Sequence, residues 1–253
     1  MIWTKLYTPY EFNTERKAAE LFDFMESSGG IFAPTRFGFG EPVRKHYVAG
    51  SREEAVNLLC GSPKCTHGAI FLKGASHRSL SVFRWVRSRV STWEFYLDDE
   101  FLSGPEKVQE FINLVTSICN KFPLIFGWVA PDEDWRAKHW QVEYDERGRS
   151  RGSRKLGTDL ENGLPGVYWI TIFGPHLTRR FGATSIAELP VHRVLQLREA
   201  GTGIVVREFP YEPPLAERLE QDRRIMELLG AQYFFDIRDP AKEIIKILDD
   251  SNG

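Results

Sequence analysis

Apolar residues recur at helical spacing over residues 14–27. Ala18, Leu21, Phe22 and Met25 follow the i, i+3, i+4, i+7 pattern behind Thr14, which can cap the first turn. Gly29-Gly30 ends this predicted helix. The Gly-, Pro- and aromatic-rich stretch 29–47 reads as an extended loop or irregular strand, followed by a short helix over 51–60 and a strand over 68–73. Residues 79–98 read as two strands. In the second, Trp93, Phe95 and Leu97 alternate with Glu94, Tyr96 and Asp98, the period of a half-buried strand. Ser103 and Glu106 have the spacing of a capping box, with Pro105 in the first turn. Val108, Phe111, Ile112, Val115, Cys119 and Phe122 then form one apolar stripe that stops at Pro123. Leu124, Phe126 and Trp128 alternate once more, so 91–129 is predicted to be a strand–helix–strand unit.

The pattern breaks over 131–165, which is polar, charged and weakly periodic. Within it, Arg147, Arg149, Arg151, Arg154 and Lys155 crowd the run 147–155 with no acid, as expected of an exposed basic loop. Regular structure resumes at 166. Gly166–Phe173 is apolar on both faces apart from Thr171 and reads as a central strand. Gly174-Pro175 opens a short helix that Phe181-Gly182 closes, and strands follow over 191–199 and 203–209 around a Gly-containing turn. A helix over 215–229 is expected to turn Leu215, Leu219, Met226 and Leu229 inward, with Gly230 as its stop. A short aromatic strand over 232–237 and a last helix over 240–248 complete the chain. The expected class is α+β: two α/β halves with mixed or mainly antiparallel sheets and helices packed on one face. The expected division is an N-terminal α/β segment, 1–75, and a main domain, 76–253, whose halves 76–130 and 164–253 are joined by a charged loop, 131–163.

Composition narrows the function. With 33 Lys+Arg against 35 Asp+Glu the net charge is -2, which argues against a general polyanion binder. No run approaches the ~20 apolar residues of a membrane span, and the start, Met1-Ile2-Trp3-Thr4-Lys5, does not read as a signal peptide. The 3 cysteines read as reduced thiols of a cytosolic protein. Cys60, Cys65 and His67 form a possible zinc grouping without a convincing fourth ligand.

Candidate chemistry is sparse. Asp98-Asp99-Glu100 and Asp132-Glu133-Asp134 both follow strands, and if those strands were neighbours the acids would share a sheet edge. Such a shared edge would be an acidic binding patch; because acidic clusters at strand ends can also hold Mg²⁺, a metal-dependent hydrolase or nuclease using Asp98, Asp99 or Asp132 is one alternative. A nucleic-acid module using the 147–155 run is another. The 6 histidines show no metal or general-base spacing, and no phosphate-binding glycine loop or nucleophile elbow is present. No catalytic residue, cofactor or metal is assigned. Trp135 and Trp140 stand among Arg136, Lys138 and His139. They serve either as interface anchors or as pins that hold a long loop to the sheet.

The segment Leu164-Pro-Gly-Val-Tyr-Trp-Ile-Thr-Ile-Phe-Gly-Pro175, with Phe181-Gly182 after it, resembles bacterial immunity proteins from polymorphic-toxin and type VI secretion loci, the Imm52-like group. The upstream Leu124–Val129 segment, the Gly203–Pro210 hairpin strand and Leu228–Phe235 also fit, so the resemblance covers about 91–236. It implies a cytoplasmic protein that binds and blocks a cognate toxin, and it assigns no functional residue. The expected contact surface is 131–155, with Asp132, Glu133, Asp134, Trp135, Arg136, Trp140, Tyr144, Arg147, Arg149 and Arg151 as the partner-binding set. The acids of 132–134 would suit a basic partner and the arginines of 147–155 an acidic one.

Overall fold

The computed structural model describes residues 1–12, 14–28, 32–38, 42–60, 67–74, 80–86, 90–158, 160 and 163–246, with backbone only for 49, 67–71, 74 and 80–86. In chain order the elements are β1 (Ile2–Thr8), α1 (Glu15–Ser27), β2 (Pro34–Gly38), β3 (Lys45–His46), α2 (Arg52–Cys60), β4 (His67–Gly74), β5 (Leu80–Val86), β6 (Ser91–Leu97), α3 (Pro105–Lys121) and β7 (Phe126–Pro131). They continue with α4 (Asp132–His139), β8 (Trp140–Tyr144), β9 (Ser150–Lys155), β10 (Ile170–Phe173), α5 (Pro175–Phe181), α6 (Ala183–Ala187), β11 (Arg193–Gln196), β12 (Thr202–Val205) and α7 (Leu215–Leu229). The class is α+β, as the patterning predicts. The chain forms two compact units: Met1–Val129 with Ile172–Arg180 and Leu195–Gly203, and Ala130–Thr171 with Phe181–Val194 and Ile204–Gly253.

The first unit is organised by β1, which the sequence pattern does not announce. Lys5 interrupts a run that is otherwise buried on both faces. β1 pairs antiparallel with β6 along its whole length, from Ile2 opposite Leu97 to Thr8 opposite Ser91. The antiparallel order runs β1-β6-β5-β4-β2-β3. The boundary expected near residue 75 therefore falls between β4 and β5, which are paired neighbours. β7 lies on the other side of β1. β6 and β7 are thus not adjacent, and the acids that follow them do not line a common pair of strands.

Helix α1 starts as predicted, with the Thr14 hydroxyl accepting the Lys17 N–H at 3.3 Å. The α3 stripe is buried as its spacing requires. Its start differs from expectation: Gly104 at φ 112 is the cap, Pro105 takes the first position, and no side chain caps the helix. The preceding turn, Asp99–Leu102, sets that geometry in place of a Ser103 capping box. At the end of α3, Phe122 meets Trp93 of β6 (4.8 Å between ring centroids) and Phe24 of α1 (5.8 Å), so both helices gather on the Trp93 face. Gly174 allows the closest backbone approach in this unit. Its N–H donates to the Ile125 carbonyl at 2.9 Å, and a Cβ there would stand 2.0 Å from the Leu124 carbonyl oxygen.

The second unit departs further from the sequence reading. Residues 131–163 are not a joining loop, because Asp132–His139 is helix and Trp140–Lys155 is a two-stranded hairpin. The central strand is short. The Thr171 hydroxyl accepts the Tyr168 N–H at 2.9 Å in a local turn at the start of the strand. In α7 the buried face is Arg218, Asp222, Ile225 and Leu229, not Leu215, Leu219 and Met226. A short 3-10 turn, Ala231–Tyr233, stands where an aromatic strand was expected. Residues 240–246 are non-helical, and the rest of the helix expected over 240–248 lies outside the described residues. No helix among the described residues is long and apolar enough to cross a membrane.

Candidate functional site

The chemistry of the second unit begins where α4 meets α7. Asp134 and Asp222 have no solvent exposure, and Arg207 and Arg218 are almost fully buried beside them. Arg207 bridges the two carboxylates, donating to Asp134 at 2.5 Å and to Asp222 at 3.0 Å. Arg218 donates through Nε to Asp134 at 3.1 Å and through its terminal nitrogens to Glu133 and the Tyr211 carbonyl, the latter at 2.6 Å. The Lys138 ammonium closes the group, donating to Asp222 at 2.5 Å and to the Val167 carbonyl. Every charge here has an opposite charge in contact, which is the condition for keeping it out of water. Burial raises the Asp134 pKa against the pull of Arg207, Lys138 and Arg218. Burial also lowers the Lys138 pKa, opposed by the charge and hydrogen bond of Asp222.

α4 ends at His139, and the Trp140–Lys155 hairpin, here the arm, starts there. His139 clamps the base of the arm twice. Its carbonyl accepts the Leu156 N–H at 2.9 Å, and its Nδ1 meets the Leu156 carbonyl at 2.7 Å. A carbonyl oxygen only accepts, so Nδ1 carries the hydrogen. Its Nε2 meets the Tyr168 hydroxyl at 2.5 Å, and that hydroxyl donates to the Pro165 carbonyl at 3.2 Å. Above this clamp the Trp135 and Trp140 rings pack edge to face at 6.3 Å, and Lys155 Nζ stands 5.2 Å and 5.5 Å from their centroids. The Arg136 guanidinium also lies over the Trp140 ring, 5.5 Å from its centroid. Cations over indole faces hold the root of the hairpin to the helix.

The far end of the arm is ordered by its own turn. The Asp145 carboxylate accepts the backbone N–H groups of Arg147 (2.9 Å) and Arg149 (2.8 Å) and the Arg149 Nε (2.9 Å). Those bonds hold its pKa below the ordinary carboxylate value, the Arg149 backbone bond contributing most. Gly148, at φ 72, supplies the left-handed turn residue. Between root and tip all six residues of β9 are exposed, and Val142 and Tyr144 of β8 are large apolar side chains left at 38% and 65% exposure.

The structure therefore divides the residues expected to bind a partner. Trp135 and Asp134 are buried, at 3% and 0% exposure, so neither offers a free contact face: Trp135 pins the root of the arm and Asp134 holds α7. Asp132 pairs with Arg136 one turn away (2.6 Å), and Glu133 reaches Arg218. Trp140 is half-buried at the root. Tyr144, Arg147, Arg149 and Arg151 are exposed together on the arm. Lys138, His139, Tyr168, Arg207, Arg218 and Asp222 are given no role by the sequence pattern. The available signal was Arg218 and Asp222 in the same i, i+4, i+7 register as Ile225 and Leu229.

Among the described residues no group of three or more His, Cys, Asp or Glu is placed to hold a metal. Asp99 instead pairs with the Met1 amino group. Cys65 and the His67 side chain, two of the three expected zinc ligands, lie outside the described residues.

No family model matches this chain, and no curated protein matches it. A solved structure of similar fold is that of the Pseudomonas aeruginosa T6SS protein PA0821, with a TM-score of 0.59 at 15% sequence identity over 90% of this chain and 75% of that one. The chain thus shares its fold with a protein of the type VI secretion system.

Proposed function

We propose that this protein is a non-enzymatic, cytoplasmic immunity protein that binds a cognate bacterial toxin and blocks its working surface. The observation that carries this reading is the arm: a hairpin held rigidly at its root, ordered at its tip and open to solvent between. A contact element fixed before binding loses little conformational freedom on docking, so more of its contact energy becomes affinity. Tyr and Arg, which the arm exposes at Tyr144, Arg147, Arg149 and Arg151, are residue types enriched where interfaces concentrate their energy. The Leu164–Pro175 resemblance and the type VI description of the protein of similar fold support the same setting.

The experiment is reconstitution with the toxin domain encoded beside this chain. The expected result is a stoichiometric complex and loss of toxin activity. Tyr144→Ala should weaken the complex by about 1–3 kcal/mol without unfolding the protein. A neighbouring toxin that neither binds nor is inhibited, or turnover by this protein alone, would overturn the reading.

A further inference from the structure

The sequence carries two charged runs of opposite sign and leaves open which one faces a partner. We infer that the partner presents an acidic protein surface to the arm, with an apolar site that takes Tyr144. This inference rests on the binding role proposed above and concerns the chemistry of what is bound.

The acids are already spent within the second unit. Asp134 is buried between Arg207 and Arg218, Glu133 pairs with Arg218, and Asp132 pairs with Arg136. None of the three is left as an open negative charge for a basic toxin. The arm is the reverse case. Its cations are Arg147, Arg149, Arg151, Arg154 and Lys155 and its acids Glu143, Asp145 and Glu146, five against three, for a net charge of +2. Arg149 is held by Asp145 and Arg154 by Glu143 and Gln141. Lys155 lies over the Trp135 and Trp140 rings. Arg147 and Arg151 are exposed and have no ion pair among the described residues; Glu146, beside Arg147, is the arm's one acid in the same condition. The uncommitted charge is therefore mainly guanidinium, which favours carboxylates because its fork of N–H donors matches them two to two.

The neighbouring apolar groups point to protein rather than nucleic acid. Val142 and Tyr144, two residues apart on β8, are both exposed apolar side chains. Glu143 and Asp145 stand against Arg154 and Arg149 in ion pairs, Glu146 adjoins Arg147, and all three acids would face a phosphate backbone at close range. A protein surface bearing separate carboxylates can meet Arg147 and Arg151 and avoid those acids.

The test titrates the neighbouring toxin domain with the wild type, with the double variant Arg147→Glu/Arg151→Glu and with Asp132→Asn, at low and moderate salt. The double variant should bind roughly 100-fold more weakly and lose most of the salt dependence, and Asp132→Asn should bind like the wild type. Unchanged or tighter binding by the double variant overturns the acidic-surface inference and leaves the neutralising role standing. A toxin domain that the wild type does not bind overturns the role. The arm is then probed with a fixed glutamate–tyrosine copolymer and a short DNA duplex. Capture of the copolymer, lost in the double variant, supports the inference. Preference for the duplex, or no capture of the copolymer, overturns it.

Discussion

Helix α4 and the arm are both built from charged sequence and lie next to each other in the chain, yet their charges end in opposite states. On α4, Asp134 and Lys138 face inward with Arg207, Arg218 and Asp222, and each ion has its counter-ion within hydrogen-bond reach. On the arm, Arg147 and Arg151 stand in water with none. A local count of charge would rate the basic run and the mixed run alike as solvated surface. What separates them is whether a distant segment arrives with matching groups. Arg207 and Asp222 come from more than seventy residues downstream of Asp134 and turn part of a polar helix into core. Nothing among the described residues does the same for Arg147 and Arg151. The first region thus holds the unit together, and the second is free to act on something outside it.

The sharpest way to break this comparison is to unbalance the buried group. Asp222→Ala removes the counter-ion shared by Lys138 and Arg207 and should cost about 3–5 kcal/mol, since it leaves buried cations short of negative charge. A urea titration reads the loss. A cost below about 1 kcal/mol would mean that water reaches these ions and that the group is not core. The root of the arm should respond more weakly. Lys155→Met keeps the aliphatic stem but removes the cation over Trp135 and Trp140, for a loss of about 0.5–1 kcal/mol. Indole fluorescence should then shift with the urea midpoint. Substitution farther out should barely register: Tyr144→Ala and Arg147→Ala should each change stability by no more than about 0.5 kcal/mol, the range of an exposed position without special contacts. A larger loss for either would show that the arm is packed, and would remove it from the candidate surface.

The smallest effect separates the tip from the root by pH. The carboxylate of Asp145 has its pKa lowered in the folded protein, so its contribution to the turn is complete above the ordinary carboxylate pKa, about 3.9. It is lost as pH falls through the lower, folded value. Amide exchange at Arg147 and Arg149 should stay slow from neutral pH down to about 4, after correction for the intrinsic rate, and quicken below it. The His139 carbonyl bond to the Leu156 amide contains no carboxylate and should show no such step. A tip whose protection is independent of acid would mean that Gly148 and the backbone hold the turn without the side chain.

How much was legible follows from the same physics. α1 and α3 were read correctly because their apolar residues meet other apolar residues, and apolar spacing alone identifies the inward face. In α7 the same rule failed. Leu215, Leu219 and Met226 looked inward, but Arg218 and Asp222 took the buried positions one residue away, because their partners on α4 and at Arg207 compensate them. β1 was missed for a related reason. A strand buried on both faces and broken by Lys5 has no alternation to display, and its place between β6 and β7 depends on pairing with residues far along the chain, Ile2 with Leu97 and Thr8 with Ser91. Asp132, Glu133, Asp134 and Trp135 were expected on a contact surface because the sequence shows their type and not their neighbours.

By itself, then, the sequence determined the α+β class, the position of its long amphipathic helix, the absence of familiar catalytic spacings and the basic run at 147–155. Each of these depends on side-chain type and on contacts between residues near in the chain. Only the tertiary structure decided which charges are buried and which are left over. That outcome depends on desolvation and counter-ion contact between segments far apart in sequence, and a buried ion is stable only where its partner is placed within hydrogen-bond distance.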